Sequence, residues 1–121
     1  MRIAIVDDHA GFRKTIRTIL EKEPGLTIVA EANNGLDAIG VVIEYKPDVV
    51  LMGISKPSLN GLDATKVIRS RFPKTRIITL SMHSETQTTA VSCQAGACDY
   101  LCKDCSPKEI IAAIKDGHQT R

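Results

Sequence analysis

The sequence lacks the features that mark a chain for export, for a membrane or for a polyanion. Its formal net charge is only +2 with histidine neutral. That is too slight to hold a nucleic-acid or polyphosphate backbone, which takes clustered lysine and arginine, so no direct nucleic-acid binding is expected. Long apolar runs are missing as well. The opening MRIAIVDD holds a four-residue apolar run before two carboxylates, too short for a signal-peptide core and far too short to cross a bilayer. A cytoplasmic location and no membrane association follow as expectations. There is no internal repeat and no low-complexity linker. The four cysteines crowd between Cys93 and Cys105 with no export signal before them, so they read as free thiols in a reducing compartment.

What is present suffices for one core. A chain of 121 residues, 43% of them hydrophobic, has the usual size of a single domain, and residues 1–121 are taken as one. Short β-branched runs alternate with amphipathic stretches. The runs are Ile3–Val6, Thr27–Ala30, Val49–Met52, Arg76–Leu80 and Asp99–Cys102. Three are apolar without alternation, as parallel strands covered on both faces should be; the Thr27 run is the weakest and belongs at an edge.

Between the runs, apolar residues recur at helical spacing: Phe12, Ile16, Ile19 and Leu20, then Leu36, Ile39, Val42 and Ile43, then Leu62, Val67 and Ile68. Each set predicts one stripe packed on a sheet. Glu23-Pro24-Gly25, Pro47 and Pro73 stop these three helices, because proline lacks the N–H and clashes with the preceding turn. Ser84 with Gln87 opens a fourth helix that Gly96 closes. Ser106-Pro107-Lys108-Glu109 opens a fifth, with Ser106 as cap, Pro107 in the first helical position and Glu109 reaching back to the cap's N–H. Strict alternation predicts a doubly wound α/β sheet of the flavodoxin-like (βα)5 kind, strand order 2-1-3-4-5. A ligand site is then expected beyond the carboxyl ends of the strands, between the first and third.

Asp7 and Asp8 leave the first strand together, Ser81 ends the fourth, and Lys103 follows the fifth. These polar side chains are expected on one rim. Adjacent carboxylates repel unless a cation shares them, so the pair suits a hard divalent ion such as Mg²⁺, with Lys103 opposite. The alternative is that both aspartates simply end a strand and cap the next helix.

The segments IVDDHAGFRKTIRTIL, DVVLMGISKPSLNGLDATKVIR, RIITLSMHSE and AGACDYLCKD resemble receiver domains of bacterial response regulators across essentially the whole chain. The likeness is strongest to the subgroup with a helix-turn-helix output of the LuxR/NarL type. The resemblance implies Mg²⁺ held by Asp7, Asp8 and the backbone carbonyl of Ser55, phosphoryl contacts from Ser81 and Lys103, and Tyr100 as the aromatic that reports the switch. It also implies a phosphate-accepting aspartate at the end of the third strand. Here that position reads Leu51-Met52-Gly53-Ile54-Ser55-Lys56-Pro57. Glycine has no carboxylate with which to form an acyl phosphate or to ligate a metal, so no phosphorylation at Gly53 and weak or absent Mg²⁺ binding are expected. Lys56, where the subgroup usually has methionine, either leans toward the aspartates or is a solvated loop lysine. Ser55 is a poor substitute acceptor, since a serine ester needs different activation.

The leading functional expectation is a non-catalytic module of two-component signalling that works through protein contacts. Its partners would be a sensor histidine kinase or another regulatory protein. A homodimer would use the fourth and fifth predicted helices, or the first and fifth, and transcription would be regulated through an output domain beyond Arg121. One alternative is an ordinary phosphorelay receiver carrying an introduced change at position 53. Another is a thiol-based redox or metal sensor using Cys93, Cys98, Cys102 and Cys105. Those cysteines are assigned to separate elements, which disfavours convergence on one ion; free cysteine is an ordinary small core residue. A flavin site on the same fold is disfavoured because Asp7 and Asp8 would repel the flavin phosphate.

Overall fold

The β-branched runs form a parallel sheet. The computed structural model describes residues 1–54, 59–81, 99–102 and 106–119. Its elements are β1 (Arg2–Val6), α1 (Ala10–Glu21), β2 (Thr27–Ala32), α2 (Gly35–Tyr45), β3 (Val49–Ile54), α3 (Leu59–Arg71), β4 (Arg76–Ser81), β5 (Asp99–Cys102) and α4 (Pro107–Gln119). The helix expected from Ser84 to Gly96 lies outside the described residues, so α4 is the helix that the sequence reading counts fifth. The strands run in the expected order β2-β1-β3-β4-β5, all neighbouring pairs parallel, and the Thr27 run is indeed an edge.

Alternation along each strand sends side chains to two cores. On one face Ala4, Val6, Val50, Met52 and Ile77 meet Ala38 and Val42 of α2 and Ala64 and Ile68 of α3. On the other, Ile3, Ile5, Leu51, Ile78 and Leu80 meet Ile16 and Leu20 of α1 and Ile110 and Ile114 of α4. Burying each Ile or Leu contributes about 1.5–3 kcal/mol, and right-handed crossovers put helices on both faces. Among the described residues, no helix is long and apolar enough to cross a membrane.

Helix ends follow local chemistry. Gly25 takes φ +89 after α1. Lys46 closes α2 in the left-handed region at φ 48, directly before Pro47. Ser106 and Glu109 form the expected reciprocal cap: Glu109 N donates to Ser106 Oγ at 3.3 Å, and Ser106 N to Glu109 Oε1 at 3.4 Å.

Two stripes differ from expectation. In α2 the buried residues are Gly35, Ala38 and Val42, whereas Leu36 is 78% and Ile43 50% exposed. The helix is apolar on more than one side, and its small residues let it approach the sheet. In α3, Ala64, Thr65 and Ile68 are buried, while Val67 faces out.

Candidate functional site

The chain leaves β1 for β2 on one side and reaches β3 on the other, so the order reverses between β1 and β3. The register pairs Val6 with Met52, which sets the next residues, Asp7 and Gly53, side by side at the carboxyl edge. Gly53 in turn pairs with Leu80, and Ile54 with Ser81.

Asp7 is held from three directions. Its N–H donates to Ala32 O at 3.0 Å, extending the contact between β1 and β2. Its carbonyl accepts from Arg13 Nη1 at 2.5 Å, and its Oδ1 accepts from His9 N at 2.8 Å. The side chain is only 1% exposed. Its carboxylate occupies the space beside Gly53: an ideal Cβ on Gly53 would lie 2.0 Å from Asp7 Oδ2, 2.8 Å from Asp7 Cγ and 2.9 Å from Val6 O. Real Cβ atoms essentially never show contacts under 3.0 Å, so glycine is the residue that this arrangement admits.

Asp8 and His9 are exposed, and His9 Nδ1 lies 2.9 Å from Asp8 Oδ1 and 3.3 Å from Asp7 Oδ1. His9, not an aspartate, is the N-cap of α1, and it makes no side-chain cap bond. The helix-capping alternative for the acidic pair is therefore not what the structure shows: Asp7 accepts the N–H of the cap residue itself.

Behind this rim lies an ion network. Arg13 Nε donates to Glu31 Oε1 at 3.1 Å, while Arg17 reaches Glu31 Oε2 at 2.5 Å and Glu21 Oε2 at 3.0 Å. Glu31 first, and then Glu21, hold the Arg17 guanidinium above its ordinary range. The network sits on α1 and β2 and fixes Arg13, which in turn fixes the Asp7 carbonyl. The sequence reading singles out neither His9 nor Arg13. The only trace is their spacing after the acidic pair, in Asp7-Asp8-His9 and, one helical turn on, Arg13.

Of the expected site residues, Asp7, Asp8 and Gly53 come together at the switch point, with Ser81 ending β4 and Tyr100 inside β5. Ser55, Lys56 and Lys103 lie outside the described residues. So do Cys93, Cys98 and Cys105; Cys102 ends β5. Asp7, Asp8 and His9 each offer a ligand atom, all within 4.8 Å of one another. The set fits Mg²⁺ poorly among the described residues, because that ion demands near-octahedral oxygen ligands. Here one donor is an imidazole nitrogen, one carboxylate is buried and bonded to His9 N–H, and position 53 supplies none.

A doubly wound sheet with an acidic rim at its switch point defines the class: a signalling receiver fold. The chain belongs to the family described as Response regulator receiver domain, which it matches over residues 3–115. It is 40% identical over 115 residues to the response regulator UvrY of Escherichia coli (strain K12), covering 95% of this chain and 53% of that protein. To the transcriptional regulatory protein DegU of Brevibacillus brevis it is 36% identical over 115 residues, covering 95% and 49%. The solved signal receiver domain of the response regulator NarL from Mycobacterium tuberculosis superposes with a TM-score of 0.91 at 30% identity, covering 99% of this chain and 97% of that one. The chain thus spans about half the length of the curated relatives it matches. It is a two-component receiver domain related to transcriptional regulators.

Proposed function

We propose that this domain is a receiver without a phosphate acceptor, one that regulates through contacts with other proteins and has no enzymatic activity. The observation that carries the reading is Gly53 at the carboxyl end of β3, with the Asp7 carboxylate filling the space beside it. An acyl phosphate needs a carboxylate nucleophile, and position 53 has none. Asp7 and Asp8, with the carbonyl of Ser55, form a weakened Mg²⁺ site that has lost a charged ligand. Ser81, Tyr100 and Lys103 keep the positions of phosphoryl contact and switch, without the ligand that would bias them. Candidate partners are a sensor histidine kinase, another regulatory protein or a second copy of the chain. Cytoplasmic location and control of transcription through an output domain are taken from the kind of relative it resembles.

The test is incubation with acetyl phosphate and Mg²⁺ followed by intact mass. No hydroxylamine-labile phosphoryl adduct is expected on the unaltered chain; an adduct would overturn the reading.

A second reading is supported by the placement of Asp7, Asp8 and Ser81 at the strand ends. An ordinary phosphorelay receiver with an introduced change at position 53 would keep that placement. Gly53→Asp separates the two readings. A stable adduct on that variant shows the rest of the machinery to be competent, and its absence shows that the loss goes beyond one residue.

A further inference from the structure

The anchoring of α4 stops before the helix does. Ile110 and Ile114 are buried, and no apolar residue follows them before Gln119. Two polar anchors stop at the same level. Lys115 Nζ donates to Glu23 Oε2, just beyond α1, at 2.5 Å. Arg76, the first residue of β4 and only 7% exposed, donates from Nη1 to Ile114 O at 2.9 Å and from Nη2 to Ala113 O at 3.1 Å. Among the described residues no carboxylate pairs with Arg76, and its Nε has no hydrogen-bond partner. The two helix carbonyls are therefore the main compensation for a buried guanidinium. Since a buried charge is costly without hydrogen bonds, the clamp is held tightly.

In an α-helix the same two carbonyls also receive the N–H groups of Gly117 and His118. Carbonyls released when a helix end unwinds ordinarily need a new partner. Here Arg76 already supplies it, and Gly117 is the weakest helix former other than proline.

We propose that α4 carries a built-in hinge after Lys115. The turn from Asp116 to Gln119 winds and unwinds as a unit, while Arg76 caps the helix at Ala113 and Ile114. Arg76 is a positioning residue in this device, which rests on neither position 53 nor the reading of the acidic rim. A partner that binds the turn in one of its two forms shifts the balance without disturbing the core.

Amide hydrogen exchange on the full chain tests the proposal, with Ile78 and Leu80 as core references. In the unaltered chain, Gly117 and His118 amides should exchange much faster than Lys115, through local opening. Gly117→Ala should slow His118 about fivefold and leave the core references unchanged. Arg76→Met should slow Gly117 and His118 by about tenfold relative to the core, because opening then strands two carbonyls. Equal protection at Lys115 and His118 in the unaltered chain would overturn the hinge. Faster exchange at Gly117 and His118 in Arg76→Met, in step with the core references, would overturn the role of Arg76. If Arg76→Met does not fold, the unaltered chain and Gly117→Ala still decide whether the hinge exists.

Discussion

The carboxylate of Asp7 and the bare Cα of Gly53 fit against each other at the carboxyl edge of the sheet: a Cβ on Gly53 would stand 2.0 Å from Asp7 Oδ2. The contact joins the two residues that the receiver fold sets at its switch point. It makes glycine at 53 a packing feature as well as a missing nucleophile. The backbone of Val6 closes the space on another side, its carbonyl 2.9 Å from the same point, so moving Asp7 alone does not relieve the crowding fully.

Gly53→Ala should therefore cost stability, although alanine is ordinarily tolerated better than glycine in a strand. Overpacking of this kind costs about 1–3 kcal/mol, read from the midpoint of urea unfolding at unchanged slope. Adding Asp7→Ala should relieve part of the strain. The double variant should then be more stable than the two separate losses add up to, by roughly 0.5–3 kcal/mol. Strict additivity would show that Asp7 and Gly53 do not touch in solution.

How far such contacts can be read in advance depends on what carries them. The strands are legible because parallel strands buried on both faces demand β-branched runs, and Ile3–Val6 and Val49–Met52 are such runs. The helix stops are legible because Pro47 and Pro73 act locally. The packed face of α2 is not, because Leu36 and Ile43 look like core residues by size. Gly35 and Ala38 in fact face inward, where small residues allow a closer helix. At the site, the acidic pair is legible from its place after a strand. The burial of Asp7 is not, since it depends on a rotamer, on the absence of a Cβ forty-six positions away in the chain, and on the hold of Arg13 and His9 on Asp7.

Thr79 offers a stability test away from the rim. It is fully buried in β4, and its Oγ1 has no hydrogen-bond partner among the described residues. A buried hydroxyl without a partner keeps its desolvation penalty. Thr79→Val should thus stabilise the domain by about 1 kcal/mol in chemical denaturation. A loss of stability would mean that the hydroxyl is satisfied in solution.

The start of α2 depends on Asn34, whose Oδ1 accepts from Asp37 N at 2.9 Å. Asn34→Ala should cost about 1 kcal/mol, and Asn34→Gly only a few tenths. Ser106→Ala should behave like Asn34→Ala at α4, since it removes one half of a reciprocal cap. Thermal unfolding of the three variants side by side checks the ranking.

Arg13 links the ion network to the site through the Asp7 carbonyl. Arg13→Met keeps most of the side chain's apolar stem but removes both contacts, and it should shift the backbone amides of Asp7, Asp8 and His9. Its cost should be roughly 1–3 kcal/mol, the range for a hydrogen bond to a charged group lost from a partly buried setting. Amide shifts confined to α1 would show that the network does not reach the rim.

The most direct test of the central claim is a titration of the unaltered protein with beryllofluoride in the presence of Mg²⁺, followed at the backbone amides of Ser81 and Tyr100. With no acceptor at Gly53 and Asp7 filling the space beside it, those amides should stay where they are at every concentration. A saturable shift of both would contradict the account, because it would mean that the pocket still binds and reads a phosphoryl group.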